Sequence, residues 1–287
     1  MISLIVPTRN RVKLLRRLFD SIEETCKSTD NVEVLLGIDD DDIETIQFIE
    51  KYSENSRFVI KSIIGERGKG YVDLHNRINE LCQISGGEFL FFLADDVQFM
   101  TKNWDEKILA TYNSVYSDNI FWIRTSHNEE GNPWAACLAI TRDWYNVTGH
   151  YGTCYQQDTE FNLVAEHVGR EIFLKDIVVI QHRADSETGD IDGEIDQTYV
   201  EGRMAADSGL LRGRSFYSSQ VQTSIVVDAI KLLKRIKSLQ GKQKDAVISA
   251  KIRSLYWEYV KIKLLPIINW LLIPPVKKII KWVMRIK

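Results

Sequence analysis

Residues 88–98 read E-F-L-F-F-L-A-D-D-V-Q. Phe89 to Leu93 are five consecutive apolar residues, followed by Ala94. Such a run belongs to a strand buried on both faces. At its C-terminal end stand two adjacent carboxylates, Asp95 and Asp96. Burying two like charges side by side is unfavourable, so something must offset them. A divalent cation takes hard oxygen ligands and leaves positions for a diphosphate. The C-terminal edge of a parallel strand is also where open α/β sheets bind their ligands. A strand ending in a solvated Asp-Asp turn is the other reading of the same residues.

The chain around this strand alternates. Ile2 to Val6 is a short apolar strand, broken by the polar loop Pro7-Thr8-Arg9-Asn10-Arg11. Leu14, Leu15, Leu18, Phe19 and Ile22 then recur at helical spacing. Val32 to Ile38 is a second strand that stops at four aspartates, Asp39 to Asp42, and Ile43 to Tyr52 a second helix. Phe58 to Ile64 predicts a third strand, and Tyr71 to Cys82 a helix after the loop Gly65 to Gly70. Beyond the central strand come a helix over 104–116, strands over 120–124, 134–140 and 172–180, and helices over 141–147 and 156–168. Strand–helix alternation argues for a mostly parallel α/β sheet flanked by helices. From Thr198 the pattern is helical, with helices over 221–239 and 246–265. We expect a catalytic α/β domain over residues 1–200 and a helical C-terminal region over 201–287.

Composition narrows the function classes. A net charge of −3 gives no general nucleic-acid affinity. Cys26, Cys82, Cys137 and Cys154 are scattered, without zinc-ligand spacing or a disulfide framework. Met1-Ile2-Ser3 runs straight into a strand, so no signal peptide is expected, and no segment reaches the ~18 unbroken apolar residues of a spanning helix. The last forty or so residues are strongly basic. There, Leu264 to Val276 is a short apolar stretch interrupted by prolines and flanked by lysines, with Trp270 and Trp282. That pattern suits an interfacial membrane anchor. A helical hairpin packed on the catalytic domain is the alternative. The expected location is cytoplasmic, peripheral on the inner face of the membrane.

The polar constellations all fall at the C-terminal ends of predicted strands or at a helix start: P-T-R-N-R, D-D-D-D, A-D-D-V and Q-Q-D-T-E. In that order they resemble the GT-A glycosyltransferases, family 2 in particular, over about residues 1 to 183. The resemblance implies a sugar transferred from a nucleotide-diphosphate donor, UDP foremost, to a hydroxyl of a glycan or lipid-linked acceptor. It further implies metal assistance by Mn²⁺ or Mg²⁺ and inversion. Pro7, Thr8, Asn10 and Arg11 would shape the nucleotide loop, with Arg11 as a surface charge the other reading. Asp39 would accept a hydrogen bond from the base, and Asp41 or Asp42 would cap the next helix. Lys69 or Arg67 would neutralise diphosphate charge.

The family's D-x-D appears here as A-D-D. Aligned on its last position, Asp96 becomes the principal metal ligand, and Asp95 faces the ribose or the ion. His182 would complete the metal shell; imidazole suits Mn²⁺ better than Mg²⁺. Asp158 would be the general base on the acceptor hydroxyl, with an N-cap carboxylate the competing reading and Glu160 a weaker base. Gln157 stands where the family more often has glutamate. Trp134 and Trp144 suit either a sugar platform or the core. Two rival classes remain open at this level. One is a nucleotidyltransferase, although 7–11 lacks the glycines of a triphosphate loop. The other is a sugar-nucleotide-binding or membrane-scaffold protein without turnover.

Overall fold

The computed structural model describes residues 1–67, 71–127, 137–152, 157–182, 219–240 and 245–271. The side chains of 71, 72, 219, 220, 245 and 265–271 lie outside that description. So do Lys69, Trp134, the acidic 185–196 stretch and the tail beyond 271.

Eight strands form one sheet. They are β1 (Ile2–Thr8), β2 (Val32–Asp39), β3 (Val59–Gly65), β4 (Phe89–Phe92), β5 (Val97–Phe99), β6 (Trp122–His127), β7 (Leu138–Thr141) and β8 (Glu171–Gln181). Their spatial order is β3-β2-β1-β4-β7-β6-β8-β5. β3, β2, β1 and β4 are mutually parallel, as the strand–helix alternation predicts. β7 inserts antiparallel between β4 and β6, and β5 pairs antiparallel with β8 at the far edge. Eight helices are described: α1 (Val12–Thr25), α2 (Ile43–Ser53), α3 (Tyr71–Ile84), α4 (Trp104–Leu109), α5 (Arg142–Thr148), α6 (Gln157–Val168), α7 (Ser219–Leu239) and α8 (Asp245–Leu271).

Two apolar clusters sandwich the sheet. One holds Leu4, Phe19, Phe89, Phe91 and Trp104 beside α1. The other holds Ile5, Leu90, Phe92, Trp144, Phe161 and much of α7. The central strand therefore divides its side chains alternately: Phe89 and Phe91 to one cluster, Leu90 and Phe92 to the other. Full burial of all four explains the unbroken apolar run.

Two expectations need correction. Pro7 does not end β1; it lies within the strand, in register with Gly37. Residues of a strand point their backbone polar groups to alternate sides, and Ile5 faces β4, where its carbonyl accepts from Leu93 N at 3.1 Å. Pro7 faces the same way, beyond the last β1–β4 pair, Ile5 with Phe92. Its missing N–H thus removes no ladder bond. The helix expected over 104–116 stops at Leu109, and Asn113 and Asn119 follow in left-handed conformation, tied by Asn113 N to Asn119 Oδ1 at 2.8 Å. Left-handed residues cannot continue a helix. Val97–Phe99, given no element in the sequence reading, is the edge strand β5.

Candidate active site

The site is assembled at the C-terminal ends of β1, β2 and β4. Asp95 and Asp96 follow β4 and are 3% and 4% exposed. Thr8 Oγ1, at the end of β1, donates to Asp95 Oδ2 at 2.8 Å. Arg11, at the start of α1, donates to Asp95 Oδ1 at 2.9 Å. Burial raises the Asp95 carboxyl above its usual range; Arg11 and Thr8 pull it down, and the Asp96 charge adds to the rise. Thr8 and Arg11 thus both engage Asp95.

Asp96 is placed differently. Gln181 Nε2, at the end of β8, donates to its Oδ1 at 3.2 Å. His182 N donates to its backbone carbonyl at 2.9 Å, continuing the pairing of Val97 with Gln181. The sheet thus sets Asp96 and His182 on adjoining chain segments although they are far apart in sequence. The His182 ring lies against Gln98, with Nε2 to Oε1 at 2.9 Å. Among the described residues Asp96 has no cationic partner.

The second strand contributes Asp39. Arg9 donates to Asp39 Oδ2 at 3.1 Å and grips Asp41 through both terminal nitrogens. Asp42 caps α2 by accepting from Thr45 N at 3.1 Å, the role expected of Asp41 or Asp42. It also accepts from Asn10 N at 2.7 Å. Asn10 adopts φ 52°, which Asn tolerates better than most residues. The first loop is therefore folded onto the four aspartates, with Arg9 and Asn10 as its two ties.

Sequence reasoning missed Arg77. Its guanidinium lies across the ends of β2 and β3, donating to Ile38 O at 2.9 Å and Ile63 O at 3.2 Å. Gly37 and Gly65 make room: a Cβ on Gly37 would come within 2.7 Å of Arg77 Cγ, and one on Gly65 would overlap the guanidinium. Arg at a helical position gives no hint of this, but the two glycines on neighbouring strands are a signal that something crosses them closely.

On the other side, Phe161 of α6 stacks on Phe92 at 6.0 Å between ring centroids, and Tyr151 lies 4.4 Å from Phe92. This packing sets α6, whose first turn carries Asp158, against Phe92 at the end of β4. Asp158 Oδ1 accepts from Thr159 N at 2.8 Å. Glu160 is buried. Trp144 is fully buried in α5, which makes it a core residue rather than a sugar platform.

The donor set suits a hard divalent cation. Asp96 is nearly buried, carries one amide hydrogen bond, and adjoins a second carboxylate. Among the described residues no three His, Cys, Asp or Glu converge as a ready cage. A cation here would share its shell with ligand oxygens, as magnesium sites with one or two carboxylates do.

A sheet with four parallel strands, helices on both faces and an acidic pair at the end of its central strand is the GT-A arrangement of glycosyltransferases. The sequence model of glycosyl transferase family 2 matches residues 3–170, more than half of the chain, and the chain belongs to that family. The fold is shared with solved structures of low identity. TarS from S. aureus, residues 1–349, is 14% identical with a TM-score of 0.51, each chain being covered over 91%. The mannosyltransferase PcManGT from Pyrobaculum calidifontis, solved with GDP-Man and Mn²⁺, is 14% identical with a TM-score of 0.53, covering 94% of this chain and 87% of that one. Comparison with curated protein sequences gave no match.

Proposed function

We propose that the protein transfers a sugar from a nucleotide-diphosphate donor, UDP foremost, to a hydroxyl of a glycan or lipid-linked acceptor, with inversion. The observation that carries this reading is Asp96: a nearly buried carboxylate beside a second one, at the ligand-binding edge of the sheet, with no cationic partner among the described residues. A divalent cation, Mn²⁺ or Mg²⁺, held by Asp96 with His182 would stabilise the charge that develops on the departing diphosphate.

The chain's own residues supply the remainder. Asp39 accepts from the base, with Arg9 fixing the carboxylate. Pro7, Thr8, Asn10 and Arg11 shape the wall beside the diphosphate, and Lys69 adds positive charge. Thr8 and Arg11 hold Asp95 against the ribose. Asp158 accepts the acceptor's hydroxyl proton as that oxygen bonds to the sugar's anomeric carbon and the bond to the diphosphate breaks. The products are the glycoside and the nucleoside diphosphate. The acceptor is met at a membrane surface, reached through the basic C-terminal tail.

Calorimetric titration with UDP and GDP, with and without Mn²⁺, tests the donor half. Metal-dependent binding of one nucleotide, lost in Asp96→Ala, is the expected result. Asp158→Asn should keep that binding and lose transfer. A folded protein that binds neither nucleotide overturns the UDP- and GDP-donor reading.

A further inference from the structure

Helix α8 is apolar on two opposite faces. Ile248, Ile252, Leu255, Tyr259 and Ile262 follow one another at intervals of four, three, four and three, and pack onto the core beneath α7. That face explains why the helix docks. The opposite face carries Trp257, Val260 and Leu264 at intervals of three and four, with Arg253 one turn earlier. Trp257 is 57% exposed and Leu264 43% exposed. A surface helix of a globular protein ordinarily turns a polar face outward. Exposed apolar surface on such a stripe forgoes about 25 cal/mol for every Å² it could bury.

The charge around this stripe specifies what would cover it. Residues 245–287 contain nine Lys or Arg and two Asp or Glu, whereas the whole chain has a net charge of −3. Positive charge is therefore concentrated on this helix and the segment after it. Two copies meeting through this face would oppose like charges, which disfavours self-association. An anionic bilayer meets both demands. Its headgroups attract Lys and Arg, and its interfacial zone takes Trp, Val and Leu side chains lying in the plane of the surface. Among the described residues no helix is long and apolar enough to cross the bilayer.

We propose that the outer face of α8, centred on Trp257, Val260 and Leu264, is a docking surface for an anionic phospholipid bilayer. It rests on the membrane-partner reading above and moves the contact from the tail alone to a folded helix face. α8 lies against α7, and α7 against α6, so docking would hold the helix that bears Asp158 at a fixed height above the lipid.

The test is co-sedimentation of the full chain with phosphatidylcholine vesicles, with and without phosphatidylglycerol. Two variants are compared with the wild type: Trp257→Ser with Leu264→Ser on the face, and Lys277→Glu with Lys278→Glu in the tail. The wild type should bind only the anionic vesicles, and less at high salt. The face variant should lose at least about tenfold in partitioning while its thermal midpoint stays unchanged. A face variant that binds like the wild type, with the tail variant released, overturns the docking face but leaves the membrane reading standing. A wild type that binds no anionic vesicle overturns both.

Discussion

Asp95 shows how much of this site is held by single contacts. Its two oxygens are engaged by Thr8 and Arg11, and a like charge stands next to it in sequence. Replacing Arg11 by Ala leaves a buried carboxylate with one hydroxyl partner. We expect a loss of about 2 kcal/mol in urea unfolding, the scale of a charged hydrogen bond, reduced to a few tenths in an Asp95→Asn background. Equal losses in both backgrounds would show that Arg11 acts elsewhere. Arg77 offers a second case. Its guanidinium joins the carbonyl ends of β2 and β3 just where Asp39 leaves the sheet. Gly37→Ala forces the side chain aside at Cγ, and overpacking of this kind costs about 1–3 kcal/mol. Arg77→Lys keeps the charge but not the planar fork, so it should weaken nucleotide binding in calorimetry more than it lowers the thermal midpoint. At this scale the sequence was readable where chemistry is local. A helix cap at Asp41 or Asp42 followed from the preference of acids for a helix N-terminus, and Asp42 fills it. Arg9 was not singled out, because its partners Asp39 and Asp41 lie a strand and a helix away, and nothing local marks a long-range ion pair.

Elements are tied to one another by a few buried polar groups, and one of these is a histidine whose pKa is raised. His150 follows α5, and its Nε2 lies 2.9 Å from Asp228 of α7, a buried carboxylate that also pairs with Lys231 at 3.0 Å. Burial alone would lower the His150 pKa, but Asp228, helped by Glu160, outweighs burial and the opposing Lys231, and the net direction is upward. His75 on α3 is the other titratable group that senses it, and burial pushes that ring's pKa down. Gly152 N also donates to His150 Nδ1 at 3.0 Å, which requires the neutral ring. The buried carboxylate is the stronger influence, so that bond is the one relinquished on protonation. A raised folded pKa means a contribution fully present below the ordinary value of 6.5 and lost as pH rises through the folded value. The thermal midpoint should therefore fall over that window in the wild type, and the fall should flatten in Asp228→Asn. An unchanged slope would assign the dependence to other groups. The same scale shows which elements could be read in advance. The parallel strands β1 to β4 with α1 to α3 announced themselves through period and length. β5 did not, because three residues carry too little pattern, and its partner β8 comes far later in the chain. The antiparallel entry of β7 was likewise invisible, since strand direction depends on how the chain returns rather than on the strand's own residues.

At the scale of the molecule, the part that matches the family does not complete its own core. The match ends at residue 170, yet β8 begins at 171 and α7 lies further on. Val221, Ile225, Val226, Ile230, Leu232, Leu233 and Ile236 of α7 are all buried, in the cluster that contains Phe92 and Phe161. Gln240, just past α7, donates to Asp118 at 2.8 Å, and Asp118 is held by Arg170 through two bonds. These side chains complete the apolar cluster on one face of the sheet, so the sheet's packing on that side depends on α7. A chain ending at residue 182 should expose the surface that α7 covers, including Trp144 and Phe161. We expect it to bind 8-anilinonaphthalene-1-sulfonate, to lose its near-ultraviolet circular dichroism and to melt without a cooperative transition. A truncated chain with a sharp melt and native near-ultraviolet signal would mean that the helices are an accessory laid on a self-sufficient sheet. The expected result would mean instead that the site at the end of β4 exists only while α7 holds Phe92 and Phe161 together behind it.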